Sequence, residues 1–171
     1  HAMDLRRFIE GTRPSPRQPR RPFVIAEAGV NHEGCMDTAR LLIDQAAAAG
    51  ADAIKFQTYR ADTLAAKDSP AYWDTSQEPT RSQHELFSRH DKFWKIEFEA
   101  LKRHCDDIGI EFLSTPFDLE SARFLDPLMG VYKVSSSDLT NRPFIEHLCG
   151  FGKPILLSTG YSQAIDEVRD S

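Results

Sequence analysis

The sequence predicts an α/β protein with a parallel sheet, and two observations support that class. First, five short apolar runs recur along the chain, and each is too short to be a helix. They begin at Phe23, Ala53, Glu111, Val131 and Ile155. Second, helical patterns lie between consecutive runs. Because strands that alternate with helices pair in parallel, we expect the order β-α-β-α-β-α-β-α-β.

The four helices between the strands are predicted from apolar spacing and from residues that begin or end helices. The first is expected to begin with Asp37 as its N-cap and to end at Gly50. Gly109 is expected to end the second helix. The third helix is shorter and is expected to stop near Pro127. Pro143 is expected in the first turn of the fourth, where its missing N–H costs nothing.

Three segments fall outside this alternation. Residues 1–22 are rich in arginine and proline and cannot pack a core, so we expect a flexible arm, of which the first three residues resemble a cloning remnant. The folded domain is expected over 23–171. Residues 59–90 form a long connection, for which a lid or substrate wall and an inserted surface element both stay open. A last helical pattern covers residues 162–171.

The composition is that of a globular domain and limits the kinds of partner. The chain has 171 residues, of which 40% are hydrophobic and 27% charged. A net charge of -5 does not suggest a nucleic-acid role, and no apolar run is long enough to span a membrane. Cys35, Cys105 and Cys149 are far apart and odd in number, so we expect reduced thiols in a cytoplasmic protein.

Polar residues follow each predicted strand at the point where the strand ends. In parallel α/β proteins, active sites lie at the carboxyl ends of the strands. The residues at these ends are Glu27, Lys55, Gln57, Ser114, Thr115, Lys133, Ser135, Ser136, Ser137, Asp138, Ser158 and Thr159. Two lysines and several hydroxyl groups that face one space make an anion site, and a phosphate or carboxylate is the expected guest.

Structural roles compete with this interpretation at single positions. A strand lysine often pairs with a carboxylate, and a serine or threonine after a strand often caps the next helix. Glu27 lies in an apolar run, so we expect it to be buried and either held by a cationic neighbour or used as an acid/base group. His32 and Glu33 lack the spacing of a metal motif, and a role in forming their loop is favoured over metal binding.

Five motifs, in their order and spacing, resemble the sialic acid synthase family. They are "AEAGVNHEG", "IKFQT", "FLSTPFD", "YKVSSSDLTN" and "GKPILLSTG". The resemblance covers about Phe23 to Tyr161. It implies a (β/α)8 TIM barrel followed by a small antifreeze-like domain. A complete barrel takes roughly 250 residues, so the chain is expected to hold about the first five βα units, without the rest of the barrel or the closing domain.

The resemblance also implies a reaction. Family members condense phosphoenolpyruvate with N-acetylmannosamine or a related acylated amino sugar to a nonulosonic acid, and release phosphate. The implied phosphoenolpyruvate site consists of Lys55, Thr115, Lys133, Ser136 and Ser158. Glu27, Lys55 and Lys133 are the implied catalytic residues, while Gln57 and Asp138 are implied to face the sugar. A divalent metal, Mn or Mg, is implied to polarise the sugar aldehyde through histidines beyond the end of this chain.

Three positions depart from the family pattern, and all three concern the sugar. Asp138 stands where these synthases often carry glutamate, and Ser137 replaces a common glycine in the same turn. Glu78 falls in a loop where some members place an asparagine on the N-acetyl sugar. The departures leave the phosphate chemistry intact and the identity of the sugar open.

Two other functions stay open beside the synthase. A class I aldolase would use Lys55 or Lys133 as a Schiff base. A non-catalytic fragment that acts as an interaction module is the second, because the chain stops after the fifth strand. If the chain is the first part of the barrel, we expect it not to turn over substrate by itself. The resemblance further implies a domain-exchanged homodimer formed through the missing part.

Overall fold

The computed structural model describes residues 4–11, 15–60, 93–160 and 169, and it confirms the predicted alternation of strands and helices. The five strands are β1 (Ile25–Gly29), β2 (Ala53–Thr58), β3 (Glu111–Pro116), β4 (Tyr132–Val134) and β5 (Ile155–Leu157). All strand pairs that form are parallel. The described residues therefore form a parallel α/β fold, as predicted.

The strands are arranged in two groups. β1, β2 and β3 are hydrogen-bonded in that order, and β4 pairs with β5. β3 and β4 lie in contact, so the two groups follow one another in chain order. The residue register aligns Ala53 with both Ile25 and Glu111, so β1, β2 and β3 begin at one level and end at one edge.

The helices have the expected order and nearly the expected ends. Their bounds are α1 (Leu5–Glu10), α2 (Met36–Ala48), α3 (Lys95–Ile108), α4 (Leu119–Leu125) and α5 (Arg142–Cys149). Cys35, not Asp37, is the N-cap of α2. Asp37 instead supplies a negative charge in the first turn, where it interacts favourably with the helix dipole. Gly109 adopts the left-handed conformation that ends α3.

The core lies between the strands and the inner faces of the helices. Phe56 and Phe112, on neighbouring strands, are almost completely buried and stack with ring centroids 6.0 Å apart. Phe98 and Leu101 cover them from α3. Tyr132 is fully buried, and its hydroxyl donates to the backbone oxygen of Ala122 at 2.6 Å, so its polar group is satisfied inside the core.

The arginine- and proline-rich arm is only partly as expected. Its residues Leu5–Glu10 form α1, with Asp4 as the N-cap, so the prediction of a flexible arm over 1–22 is wrong there. The Leu5 side chain is buried, and its backbone N–H donates to Glu111 Oε2 at 2.7 Å. Phe8 packs against Phe23 at 5.4 Å. A few apolar residues among the arginines are enough to dock the helix on the domain.

Some predictions fall on residues outside the described ranges. These are most of the connection over 59–90, which includes Glu78, and nearly all of the helical pattern over 162–171. Among the described residues, no helix is long and apolar enough to cross a membrane.

Candidate active site

Parallel pairing brings the predicted site residues to the carboxyl ends of β1, β2 and β3. Glu27 is aligned with Lys55 across β1 and β2, and Gln57 with Thr115 across β2 and β3. Lys55 and Gln57 are two residues apart on one strand and therefore project from the same face of the sheet. The register thus groups four of the predicted site residues.

The centre of this group is an ion pair between Lys55 Nζ and Glu27 Oε2. Lys55 Nζ also lies 3.4 Å from the hydroxyl oxygen of Thr115. The Lys55 side chain is only 14% exposed, whereas that of Glu27 is 51% exposed. The expectation that Glu27 is buried is therefore wrong: it projects from β1 at the end of the described sheet, and Lys55, on the central strand β2, is the buried partner of the pair.

Lys133 belongs to the same electrostatic group. It is half-buried on β4, and its ammonium donates to the backbone oxygen of Val134 at 2.7 Å. Burial lowers the pKa of Lys133, repulsion from Lys55 lowers it further, and Glu27 acts in the opposite direction. The described residues of this group thus carry two ammonium charges and one carboxylate charge, a net positive charge that favours an anion.

A bulge at Gly29 shapes the space beside the ion pair. The register between β1 and β2 shifts between Glu27 and Gly29, and Gly29 adopts a positive φ of 55°. A Cβ at this position would lie 3.4 Å from Glu27 Oε1 and 3.8 Å from Gln57 Nε2. Glu27 and Gln57 therefore converge beside a backbone conformation that favours glycine.

The turn after β4 holds the predicted serines and Asp138. Residues Ser136–Asp138 form a short 3-10 helix, in which the Ser135 hydroxyl oxygen lies 3.0 Å from that of Ser137. Asp138 Oδ1 accepts from the Asn141 side chain at 3.3 Å. Burial raises the pKa of the half-buried Asp138 carboxyl, and the Asn141 hydrogen bond acts against this rise.

The remaining predicted residues are placed less closely. The Ser158 backbone N–H donates to the oxygen of Val134 at 3.2 Å, which puts Ser158 just beyond β5 and beside the end of β4. A Cβ added to Gly160 would lie 3.8 Å from Ser136 Oγ, so the turn after β5 approaches the turn after β4. Within the described residues, no hydrogen bond joins Ser136, Ser158 or Asp138 to the Lys55–Glu27 pair.

Two hydroxyl residues and one histidine have structural roles. Ser114 and Thr58 are buried, and their hydroxyl oxygens lie 2.7 Å apart, which satisfies both groups inside the sheet. His32 is buried and stacks on Phe93 at 4.0 Å, and its Nδ1 accepts from the Gly34 backbone N–H. The favoured interpretation of His32 as a loop-forming residue agrees with this geometry. Sequence reasoning missed Phe93, because an aromatic residue before a helix carries no sign of its ring partner.

The described residues offer no metal site. No group of three histidine, cysteine, aspartate or glutamate side chains among them could hold an ion. The carboxylate of Glu27 is taken up by an ammonium group, which competes with any cation. The expected Mn or Mg ion stays a prediction.

The fold and the site together define a TIM-barrel-type protein in which Lys55, Glu27 and Lys133 form one electrostatic group toward the carboxyl ends of the strands. Residues 42–171 match the NeuB family, and the chain belongs to that family. This confirms the resemblance to sialic acid synthases stated from the motifs.

Named relatives extend the comparison. The chain is 38% identical over 151 residues to the N,N'-diacetyllegionaminic acid synthase of Legionella pneumophila, covering 86% of this chain and 42% of the relative. It is 32% identical over 151 residues to the human N-acetylneuraminate-9-phosphate synthase, covering 86% and 41%. The crystal structure of an N-acetylneuraminic acid synthetase from Leptospira borgpetersenii, in complex with citrate, superposes with a TM-score of 0.75 at 31% identity, covering 88% and 48%. The chain thus spans less than half the length of each.

Proposed function

We propose that a protein containing this chain condenses phosphoenolpyruvate with an N-acylated amino sugar to form a nonulosonic acid and release phosphate. The observation that carries the proposal is the Lys55–Glu27 ion pair among the described residues, with the Thr115 hydroxyl beside Lys55 and with Lys133 within electrostatic range of both charges. Relatives named as legionaminic acid and N-acetylneuraminate-9-phosphate synthases support it. Such an enzyme is a transferase that forms a carbon–carbon bond.

The lysines account for binding of the enol phosphate. Lys55 and Lys133 supply positive charge to its phosphate and carboxylate, and the hydroxyl groups of Thr115, Ser136 and Ser158 supply directed donors. During the reaction, C3 of phosphoenolpyruvate attacks the aldehyde carbon of the open-chain sugar. Water adds at C2, and the tetrahedral intermediate loses phosphate by cleavage of its C–O bond. Fixed ammonium groups stabilise the negative charge that moves during these steps.

The sugar side of the site rests on Gln57 and Asp138. The Gln57 amide can donate and accept hydrogen bonds, and it converges with Glu27 beside Gly29. The Asp138 carboxylate can accept from sugar hydroxyl groups. Asp138 is shorter than the glutamate that these synthases often carry, and together with Ser137 it leaves open whether the sugar is N-acetylmannosamine or a related amino sugar. Glu27 is the proposed acid/base group beside the reacting carbons.

Several finer expectations belong to this proposal. They are a divalent metal, Mn or Mg, held by residues outside this chain, a homodimeric assembly of the whole protein and a cytoplasmic location. The 171-residue chain itself is expected to bind the enol phosphate without turning it over.

The test combines binding with turnover. Titration calorimetry should show that the purified chain, its intact mass confirmed, binds phosphoenolpyruvate more tightly than pyruvate, because pyruvate lacks the phosphate. The chain should release no phosphate from phosphoenolpyruvate with any of a panel of acylated amino sugars. Equal binding of pyruvate and phosphoenolpyruvate would contradict the proposed site, and phosphate release would contradict the inactivity of the chain.

One observation favours the aldolase as a second candidate. The pKa of Lys133 is lowered by burial and by Lys55, and a lysine with a lowered pKa is a better nucleophile for a Schiff base. Borohydride reduction in the presence of pyruvate would then add a stable pyruvate adduct to Lys133, detectable by mass spectrometry. The synthase proposal expects no adduct.

A further inference from the structure

The Lys55–Glu27 ion pair is unequal in a way that bears on how an anion could bind. Lys55 is 14% exposed and projects from β2 at the middle of the three-stranded sheet, beside Thr115. Glu27 is 51% exposed and projects from β1, the edge strand of that sheet. The ammonium is therefore fixed by its surroundings, whereas the carboxylate can rotate into water at small cost.

We infer that the Glu27 carboxylate competes with an anionic substrate for Lys55. The substrate must displace this carboxylate in order to bind. The inference rests on the proposed function, because it concerns the anion site of that reaction. A phosphate that approached Lys55 with Glu27 in place would meet a like charge in ion-pair contact with the same nitrogen. Departure of the carboxylate removes this repulsion and exposes the ammonium donors.

The second lysine makes the exchange favourable. Lys133 interacts electrostatically with both Lys55 and Glu27, so the carboxylate offsets two partly desolvated ammonium groups. A phosphate with two negative charges replaces this single charge, and its three terminal oxygens can accept from Lys55, Lys133 and Thr115. Glu27 thus offsets the positive charge of Lys55 and Lys133 when no anion is bound. It also weakens the binding of anions that carry only one charge.

The space beside Gly29 gives the displaced carboxylate a place close to the site. Glu27 Oε1 and Gln57 Nε2 both approach the Cα of Gly29, where a side chain would occupy the space between them. A rotation of the Glu27 side chain away from Lys55 keeps it near the Gln57 amide, which can donate to it. The displaced carboxylate therefore stays on the side of the site assigned to the sugar.

The test compares the binding of inorganic phosphate to the 171-residue chain and to two charge-matched variants. Glu27→Gln keeps the size of the side chain and removes its charge. Glu99→Gln removes the same charge from an exposed position on helix α3. Titration calorimetry should show that Glu27→Gln binds phosphate about tenfold more tightly than the unaltered chain, whereas Glu99→Gln changes the affinity less than twofold.

The outcomes separate this inference from the function on which it rests. Equal or weaker phosphate binding by Glu27→Gln would overturn the competitor role and leave the anion site intact. Absence of phosphate binding by all three proteins would overturn both the inference and the proposed anion site. If Glu27→Gln binds more tightly but Glu99→Gln does so equally, the gain comes from net charge alone, and the inference is wrong.

A ligand-free measurement covers the case in which the Gln variant folds poorly. Glu27→Asp keeps the charge but shortens the side chain by one methylene, which lengthens its contact with Lys55, and it should also bind phosphate more tightly than the unaltered chain. NMR titration of the lysine ammonium groups should show a lower pKa for Lys133 in both variants, because the favourable effect of Glu27 is lost or weakened. An unchanged Lys133 titration in both variants would contradict the electrostatic interaction between Glu27 and Lys133.

Discussion

Charged side chains at the two ends of the strands are satisfied in different ways. At the amino ends, Lys153 is 16% exposed and forms an ion pair with Asp126 at 2.7 Å, and its ammonium also donates to the backbone oxygen of Met129 at 2.9 Å. At the carboxyl ends, Lys55 and Lys133 share the carboxylate of Glu27, which is half-exposed. Within the part of the chain that the structure describes, the lysine at the amino ends thus has a full set of acceptors, and the two at the carboxyl ends have fewer.

The difference separates stability from function within one fold. A buried lysine with complete partners fixes the segments that supply them, here the turn after α4 against the start of β5. Lysines with too few acceptors are repelled by each other and gain when an anion arrives. In barrel proteins the carboxyl ends carry the chemistry, and the amino ends carry stability. Four substitutions test whether this division holds.

Lys153→Met should have the largest effect and should act on stability alone. It leaves Asp126 and two carbonyl groups without their cationic partner, so we expect the free energy of unfolding to fall by about 3 kcal/mol. Urea denaturation measures the loss. Lys95→Met, at an exposed position 3.9 Å from Glu120, is the control and should change stability by less than about 0.5 kcal/mol. A loss below 1 kcal/mol for Lys153→Met would contradict the structural role.

Lys55→Met should weaken phosphate binding and leave the free energy of unfolding nearly unchanged. The variant removes the more buried ammonium of the proposed anion site, so phosphate affinity should fall by about 30-fold, which corresponds to about 2 kcal/mol. Stability should change little, because the methionine fills the same space and Glu27 can turn toward water. Calorimetry and urea denaturation on the same sample separate the two effects. Loss of stability without loss of phosphate binding would place Lys55 with Lys153 as a structural residue.

Leu5→Ala should affect the amino ends without reaching the carboxyl ends. The buried side chain of Leu5 holds α1 against the domain, so its truncation should lower the free energy of unfolding by about 2 kcal/mol. Ile9→Ala, at a 40% exposed position on the same helix, should cost less than about 0.5 kcal/mol. Phosphate affinity should stay unchanged in both variants. A change in affinity for Leu5→Ala would show that the two ends are coupled.

The sequence predicted the strands and the grouping of site residues, because both follow from local patterns. Hydrophobic runs place each strand, and parallel pairing then brings Glu27 beside Lys55 without further information. The resemblance of the five motifs to the sialic acid synthase family led to the prediction of a TIM barrel. The partner of each charge could not be predicted in the same way. Lys153 and Lys55 both lie in strand motifs, and only the folded chain shows that one meets Asp126 and the other Glu27.

The errors have physical reasons as well. The apolar run around Glu27 predicts a buried side chain, but β1 lies at the end of the described three-stranded sheet, and Glu27 is half-exposed there although it shares a face with the buried Lys55. The α1 helix was missed because six arginines and four prolines dominate the composition of residues 4–22. The helix needs only Asp4 as a cap and Leu5 as an anchor, and the acceptor of its first N–H, Glu111, lies 106 residues away.

Glu111 gives the smallest and most specific test of the amino ends. Burial raises the pKa of its carboxyl, while the hydrogen bond from the Leu5 backbone N–H acts against the rise. A carboxyl whose pKa is higher in the folded than in the unfolded state binds its proton more tightly when folded. The folded state therefore loses stability as the pH rises from the unfolded value of about 4.5 through the folded pKa.

Glu111→Gln removes this titration and keeps an oxygen that accepts from Leu5. We expect the unaltered chain to lose stability relative to Glu111→Gln between pH 4.5 and 7, by a small amount because Glu111 is only partly buried. Urea denaturation of both proteins at a series of pH values measures the difference. If the unaltered chain instead gains stability relative to the variant as the pH rises, the hydrogen bond outweighs the desolvation, and α1 is held at the amino ends by the ionised carboxylate.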